Sequence, residues 1–577
     1  MTAANSSTRW RIIATMAILS AGALILIGQL FRWQVLEHEA FLSLAEEEHQ
    51  ARATIRPRRG TIYDRNGFLL ATDTFQYSVS ASPPVISDPY ATADRLFPLL
   101  GMSRDETLAL LTRDAAWVPL TRGIPQSLGE TILAWDIAGI QVESHPKRVY
   151  PGGTLGAHLL GFVNDNDNGF YGVEGYYDAM LRGAQGLRQG ERDPFGYAIP
   201  IGPGQYVPPR DGKSLVLTID RTVQYIVERE LADAVARYQA ESGTVVVLDP
   251  QTGAILAMAS WPTYDPNHFA DTDQSLFPNP AVSKQYEPGS VFKVITLAAG
   301  LDAGVITPES TIYDGGVIEV GGRTIYNWDR QPHGVVDMTT VLGKSLNVGA
   351  AQVAVILGKE RFYTYVRRFG FGRITEVDLA SEGPGTLKTP GDPDWHESDL
   401  GTNSFGQGIA VTPLQMAVAM LAVANDGLLM KPYVVQQFIE GERVVTAQPT
   451  VVRRVILAQT ARTLTEMLVA AVNQETELAQ VPGYRVAGKT GTAQIPVPGG
   501  YHPTLTVASF AGYLPADDPA LLILVVIHKP QTSPWGGQVA APVFARIAQQ
   551  LVVLLDIPPD EIRLSHMPSE RIATAAN

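Results

Sequence analysis

The sequence predicts an α+β chain of more than one domain, tethered by a single N-terminal membrane helix. A smaller α+β module precedes a larger domain built on an antiparallel sheet with helices against its faces. Three observations lead there. Residues 12–31 carry no charge and are mostly Ile, Leu, Ala and Met; residues 208–212 interrupt the chain with turn formers; strand-like runs stand at both ends of the stretch beyond residue 212, with helical patterns between them. The chain has 577 residues, beyond the roughly 250–300 at which single cores usually divide. Its 45% hydrophobic and 18% charged content can fill real cores, and its 53 Gly and 40 Pro follow no triplet, which excludes disordered and collagenous classes. Lys plus Arg number 44 against 58 Asp plus Glu, a formal charge of −14 that argues against nucleic acid as a partner. Cysteine is absent, so disulfides, thiolate catalysis and cysteine-ligated zinc or iron–sulfur centres are excluded.

As a helix, residues 12–31 would span about 30 Å, the thickness of a bilayer core. A cleaved signal peptide usually stops after about 7–15 apolar residues, so the run reads as an uncleaved anchor. Arg9 and Arg11 precede it; Arg32 and then Glu37, Glu39, Glu46, Glu47 and Glu48 follow it. Because acids count little in the positive-inside rule, the pattern leans toward a cytoplasmic N-terminus. The expected order is a cytoplasmic segment 1–11, the anchor 12–31, a juxtamembrane segment 32–51, an α+β module 52–208, a second domain 209–557 and a solvated tail 558–577. Within the module, residues 60–63 and 77–81 read as strands between turn residues. The second domain opens with a strand at 214–219. Asp220 then caps a helix whose Val223, Ile226, Val227, Leu231 and Ala234 recur at helical spacing. Residues 244–248 and 254–259 flank a Pro250–Gly253 turn as a hairpin, and 509–513 with 521–527 form a matching pair before a terminal helix at 541–555. Strands from both ends of the domain imply one sheet.

Three short signatures stand in order: Ser290-Val291-Phe292-Lys293, Ser345-Leu346-Asn347 and Lys489-Thr490-Gly491. A Ser-x-x-Lys pair is common, and Ser144-His145-Pro146-Lys147 is a second example in this chain. There Pro146 pushes its predecessor out of helical conformation, so Ser144 and Lys147 need not share a face. Ser290 instead follows Pro288-Gly289 and precedes an apolar run from Val294 to Ala299, which starts a buried helix and sets Lys293 one turn from Ser290. The first N–H groups of such a helix lack internal partners and can stabilise an oxyanion. The blander reading is a capping serine followed by a surface lysine; a lysine running directly into apolar sequence argues for burial instead.

Residues 483–490 also match the P-loop pattern G-x-x-x-x-G-K-[ST]. A P-loop must follow a strand and open a helix, whereas a helical pattern lies upstream and Gly- and Pro-rich sequence downstream. The segment reads better as an exposed strand whose Gly488 and Gly491 let a peptide backbone approach, with Lys489 and Thr492 directed at the ligand. Asn164 to Gly169 resembles a calcium loop, but its twelfth position is Gly175 rather than Glu. His38-Glu39 and His396-Glu397 lack a zincin's second histidine. No metal or cofactor is expected.

With these motifs in place the chain resembles the class B penicillin-binding proteins, membrane-anchored peptidoglycan transpeptidases whose superfamily carries Ser-x-x-Lys, a Ser-x-Asn type element and Lys-Thr-Gly. The likeness extends to Arg59 through Gly67, Arg148-Val149-Tyr150-Pro151, Ala157-His158, Gly172-Val173-Glu174, Ser404 through Gly408, Thr412 through Gln415 and Gly536-Gly537, covering about residues 12–555. Only about 180 residues separate anchor and catalytic domain, which leaves no room for a glycosyltransferase domain, and Asn347 leans toward the division-type branch.

The resemblance implies that 52–208 is a pedestal, or dimerisation, domain and that 209–557 is a transpeptidase domain with a five-stranded antiparallel sheet. It implies Ser290 as nucleophile and Lys293 as its base, with Ser345 relaying protons and Asn347 orienting Lys293 and the substrate amide. Lys489 would stay protonated to face the substrate carboxylate, with Thr490, Gly491 and Thr492 binding substrate. The expected substrates are stem peptides ending in D-Ala-D-Ala, and β-lactams would be covalent inhibitors. A glycan polymerase of the SEDS type and other division or elongation proteins would be partners, with the catalytic domain outside the cytoplasm. A carboxypeptidase or β-lactamase using water as acceptor, and a silent docking subunit, are the alternatives.

Overall fold

The computed structural model describes residues 4–39, 41, 50–191 and 205–565. Glu46 to Glu48 and most of the expected tail lie outside them. The chain forms two compact units. The first, within residues 4–58 and 183–212, contains helix α1 (Ala4–Phe31), whose large apolar side chains are exposed from Trp10 to Phe31, as a lipid-facing helix requires. It also contains a three-stranded antiparallel sheet of Gln50–Ile55, Gly186–Glu191 and Gln205–Val207.

The second unit, residues 59–182 with 213–565, begins with a lobe built on one long strand, Leu69–Ala81. That strand pairs antiparallel with Val118–Pro125 on one side and Ile140–Val149 on the other. Helices Pro89–Leu100, Arg104–Leu111 and Gln126–Ala134 close a small core around Val79, Leu96, Leu111 and Ile132. Asp88 caps the first helix, and Ser103 with Glu106 forms a capping box on the second. The Asn164–Gly169 segment is the turn of a hairpin, with Asn164 Oδ1 accepting from the backbone N–H groups of Asn166 and Asn168.

Beside this lobe lies a buried charge cluster. Fully buried Glu174 accepts from Arg59 Nε at 2.9 Å and from Arg148 Nε at 2.7 Å, while Asp73 takes Arg148 Nη1 at 3.0 Å and Asp178 takes Arg59 Nη2 at 2.9 Å. Next to it, Tyr150 N–H donates to Asn267 Oδ1 at 2.9 Å and Asn267 Nδ2 donates back to Tyr150 O at 3.0 Å, joining the lobe to the larger domain. Glu174→Gln leaves two buried guanidiniums short of their shared anion. The expected cost is about 3–5 kcal/mol, read as a lower urea midpoint.

The larger domain carries strands β1 (Ser242–Leu248), β2 (Ile255–Trp261), β3 (Ala487–Val497), β4 (Gly500–Leu514) and β5 (Leu521–His528), in the antiparallel order β2-β1-β5-β4-β3. Its main helices are α2 (Arg221–Arg237), α3 (Lys293–Asp302), α4 (Asn347–Leu357), α5 (Pro413–Ala424), α6 (Ala458–Glu475) and α7 (Ala541–Leu554). Asp220 caps α2 by accepting from Thr222 N and Val223 N. Leu522, Leu524 and Val526 enter the core that includes α5; Ile523, Val525 and Ile527 enter the one that includes α2 and α7. Burial on both faces is why β5 reads as an unbroken apolar run rather than an alternating one. The stretch Gly536–Leu554, which ends in α7, is long and apolar enough to cross a membrane, yet much of it is buried here.

The chain stays folded past residue 557, where the sequence suggests a solvated tail: Asp560–Ser565 is helical, and Arg563 Nη2 donates to Asp517 Oδ1 at 2.6 Å and to Asp560 Oδ1 at 2.8 Å. These ion pairs hold a turn whose composition alone reads as solvated.

Candidate active site

Edge strand β3 and the start of α3 meet at the site. Ser290 lies in a tight helical turn, Gly289–Phe292, that leads directly into α3. The turn packs hard against β3: a Cβ on Gly491 would fall 2.8 Å from Val291 Cγ2 and 2.9 Å from Pro288 O, and one on Gly536 would fall 2.2 Å from Gly491 O. Only glycine permits this stacking of backbones.

Lys293 is 0% exposed. Its Nζ lies 3.1 Å from Ser290 Oγ, 3.1 Å from Ser345 Oγ and 2.8 Å from Asn347 Oδ1, and it also donates to Ser345 O. Burial pushes its pKa well below the ordinary lysine value, and the charge of Lys489 adds to the shift.

Ser345 reaches Lys293 by an unusual backbone route. It has φ of 60° and follows helix Met338–Gly343, with Leu346 N–H bonding Val341 O at 3.0 Å and Ser345 N–H bonding Leu342 O at 3.3 Å. That is a Schellman ending with serine where glycine is usual, and it brings both oxygens of Ser345 to the lysine. Asn347 opens α4; its Nδ2 donates to Tyr326 O at 3.0 Å, which fixes the amide with Oδ1 toward Lys293.

On β3, Thr490 and Thr492 line the cleft, and Thr492 Oγ1 accepts from Gly536 N–H at 3.0 Å. Lys489 is 3% exposed, and its Nζ lies 3.1 Å from the Oγ1 of cleft-lining Thr490, near enough to Lys293 for its charge to be felt there. Burial lowers its pKa to about 7, with Glu475 pulling the other way. The P-loop look-alike lies in this strand from Ala487 onward and opens no helix.

A cleft of about 550 Å³ exposes Ser290, Ser345, Asn347, Thr490 and Thr492 together. Sequence reasoning missed much of its wall: Trp328 and Trp535, in edge-to-face contact at 5.4 Å; His333, paired with Asp329 at 3.0 Å; and Glu475 at the end of α6. The available signal was two tryptophans in polar loops, Asn327-Trp328-Asp329 and Pro534-Trp535-Gly536, positions where a buried role is hard to supply.

Comparison with known proteins identifies the two domains. A family model described as the penicillin binding protein transpeptidase domain matches residues 243–549, and one for the penicillin-binding protein dimerisation domain matches residues 54–217. Stage V sporulation protein D of Bacillus subtilis is 35% identical, over 97% of this chain and 88% of its own. Peptidoglycan D,D-transpeptidase FtsI of Escherichia coli is 30% identical, over 96% and 93%. Among solved structures, penicillin binding protein 2X of Streptococcus thermophilus superposes with a TM-score of 0.76 at 26% identity, covering 87% of this chain and 80% of that one. Penicillin binding protein 3 of Mycobacterium tuberculosis, complexed with aztreonam, superposes with a TM-score of 0.69 at 29% identity, covering 88% and 98%. With a dimerisation module, a transpeptidase domain and relatives matched over nearly their whole length, the chain belongs to the class B penicillin-binding proteins.

Proposed function

We propose that this chain is a serine-type peptidoglycan D,D-transpeptidase. The observation that carries the reading is the buried Lys293 amine, 3.1 Å from a serine hydroxyl that faces an open cleft. A serine hydroxyl is a poor nucleophile without a base in hydrogen-bond reach, and a lysine serves as that base only when its pKa is depressed. Ser290 Oγ attacks the carbonyl of the penultimate D-Ala while its proton passes to neutral Lys293 Nζ. The bond to the terminal D-Ala breaks as that proton reaches the leaving amine. An amine from a neighbouring stem then attacks the ester and gives up a proton, which returns through Lys293 to Ser290 Oγ as the ester C–O bond breaks. Backbone N–H groups of Ser290 and Thr492 hold the oxyanion. Ser345 relays the proton, Asn347 holds Lys293 in place, and Lys489 acts on the substrate carboxylate through Thr490 and Thr492.

The enzyme in this reading sits in the cell membrane through α1, with its N-terminus cytoplasmic and its catalytic domain outside. It works beside a SEDS-type glycan polymerase and other wall-synthesis proteins. Incubation with glycan strands bearing pentapeptide stems should release D-Ala and yield cross-linked dimers. Release of D-Ala with only trimmed monomers would identify a water-accepting relative instead, as would an acyl-enzyme that decays rapidly without an amine.

The two lysines set a pH profile. Lys293 acts when neutral, so acylation rises with pH through its lowered pKa; Lys489 holds a carboxylate when protonated, so binding falls as pH passes about 7. The second-order rate of penicillin acylation should therefore be bell-shaped, and Lys489→Arg should remove the descending limb because a guanidinium stays charged. A profile flat from pH 6 to 9 contradicts these roles.

A further inference from the structure

Beside the cleft lies a second cavity of about 680 Å³ that the acyl-transfer steps do not use. Asn347, Thr492, Phe405, Gln407 and the pair Trp328 and Trp535 line both spaces, so the two meet near the reacting serine. The second cavity is also lined by Arg323–Tyr326, the second strand of a hairpin with Val317–Val320, and by the turn after it, which bring Arg323 and Arg330 into its lining.

Among the described residues neither guanidinium enters an ion pair. Arg330 instead stacks over Tyr326, 5.6 Å from the ring centroid. Arg323 acts at longer range on Glu287, whose carboxylate is already engaged by Gly408 N–H at 2.9 Å and the Tyr501 hydroxyl at 3.2 Å. Both guanidiniums are solvent-exposed and outside any ion pair, and in a chain of net charge −14 two such planar forks at one cavity suit the carboxylates of a ligand. Tyr326, Trp328 and Trp535 add apolar surface for a chain that carries such groups.

Acyl transfer to an amine needs two substrates at one serine, and the 550 Å³ cleft accounts for one of them. Resting on the transpeptidase reading, we infer that the second cavity docks the amine-bearing acceptor peptide, with Arg323 and Arg330 holding its free carboxylates and the tryptophan pair standing between acceptor and donor. The selectivity is for a peptide that presents carboxylates away from its nucleophilic amine, a feature a water-using hydrolase has no use for.

The test uses the full-length protein, a D-Ala-D-Ala donor and two synthetic diamino stem peptides as acceptors, one with free carboxylates and one fully amidated. Arg323→Ala with Arg330→Ala should lower kcat/KM for the free-carboxylate acceptor by roughly 10–100-fold, mainly through KM. The amidated acceptor should be poor with the parent protein and no worse with the variant. Penicillin acylation of Ser290, measured on the same samples, should stay within about twofold and reports an intact fold. Equal losses for both acceptors, no dependence on the carboxylates, or a parallel fall in penicillin acylation would overturn the acceptor assignment. Failure of the parent protein to be acylated at Ser290 would instead remove the transpeptidase reading beneath it.

Discussion

Ser290→Ala abolishes covalent attachment of fluorescent penicillin and lowers turnover on the order of 10⁶-fold, the scale on which serine acyl-transfer enzymes lose activity without their nucleophile. The change deletes one oxygen from a partly exposed side chain whose hydrogen bond is to Lys293 Nζ, and the lysine keeps Ser345 and Asn347 as partners. Unfolding should therefore shift little, because no cavity opens and no buried group loses its last partner. Intact-mass analysis after penicillin exposure, with peptide mapping, gives the readout: an adduct on Ser290 in the parent and none in the variant. An adduct that survives the substitution places the nucleophile elsewhere.

Removing the Lys293 amine is the second large effect, and it separates chemistry from binding. Lys293→Ala removes the base but also vacates a fully buried space; Lys293→Met keeps most of that volume and takes away only the amine. In both variants the acylation step should slow by about 10²–10⁴-fold, the usual contribution of general base catalysis. The constant for initial penicillin binding should move by no more than a few fold, since Thr490 and Thr492 still line the cleft. Equal losses in binding and acylation would make Lys293 a structural lysine. The methionine variant should retain most of the stability, because a buried amine is costly to desolvate and an apolar chain of similar size is not.

Much of this architecture is legible in the chain before any coordinates. The apolar run at 12–31 and the paired strands at the two ends of the larger domain follow from composition and period. The motif order Ser290, Ser345, Lys489 carries the resemblance to the family. Three features of the site were not legible. Ser345 adopts a left-handed backbone at a helix ending where glycine would have been the signal. Lys489 lies buried with its amine on Thr490, which depends on what packs around the strand. Trp328 and Trp535 are about two hundred residues apart and meet only because their loops converge on one opening.

By itself the sequence determined which segments are apolar, where turns must fall and which side chains are chemically able to attack, accept a proton or hold a carboxylate, because those are local properties of residue type and spacing. Only the tertiary structure decided how those side chains behave. Lys293 has a lowered pKa because folding strips its water and sets Lys489 near it, and the second cavity exists because distant loops meet. Desolvation and convergence are properties of packed surfaces, and no single stretch of chain contains them.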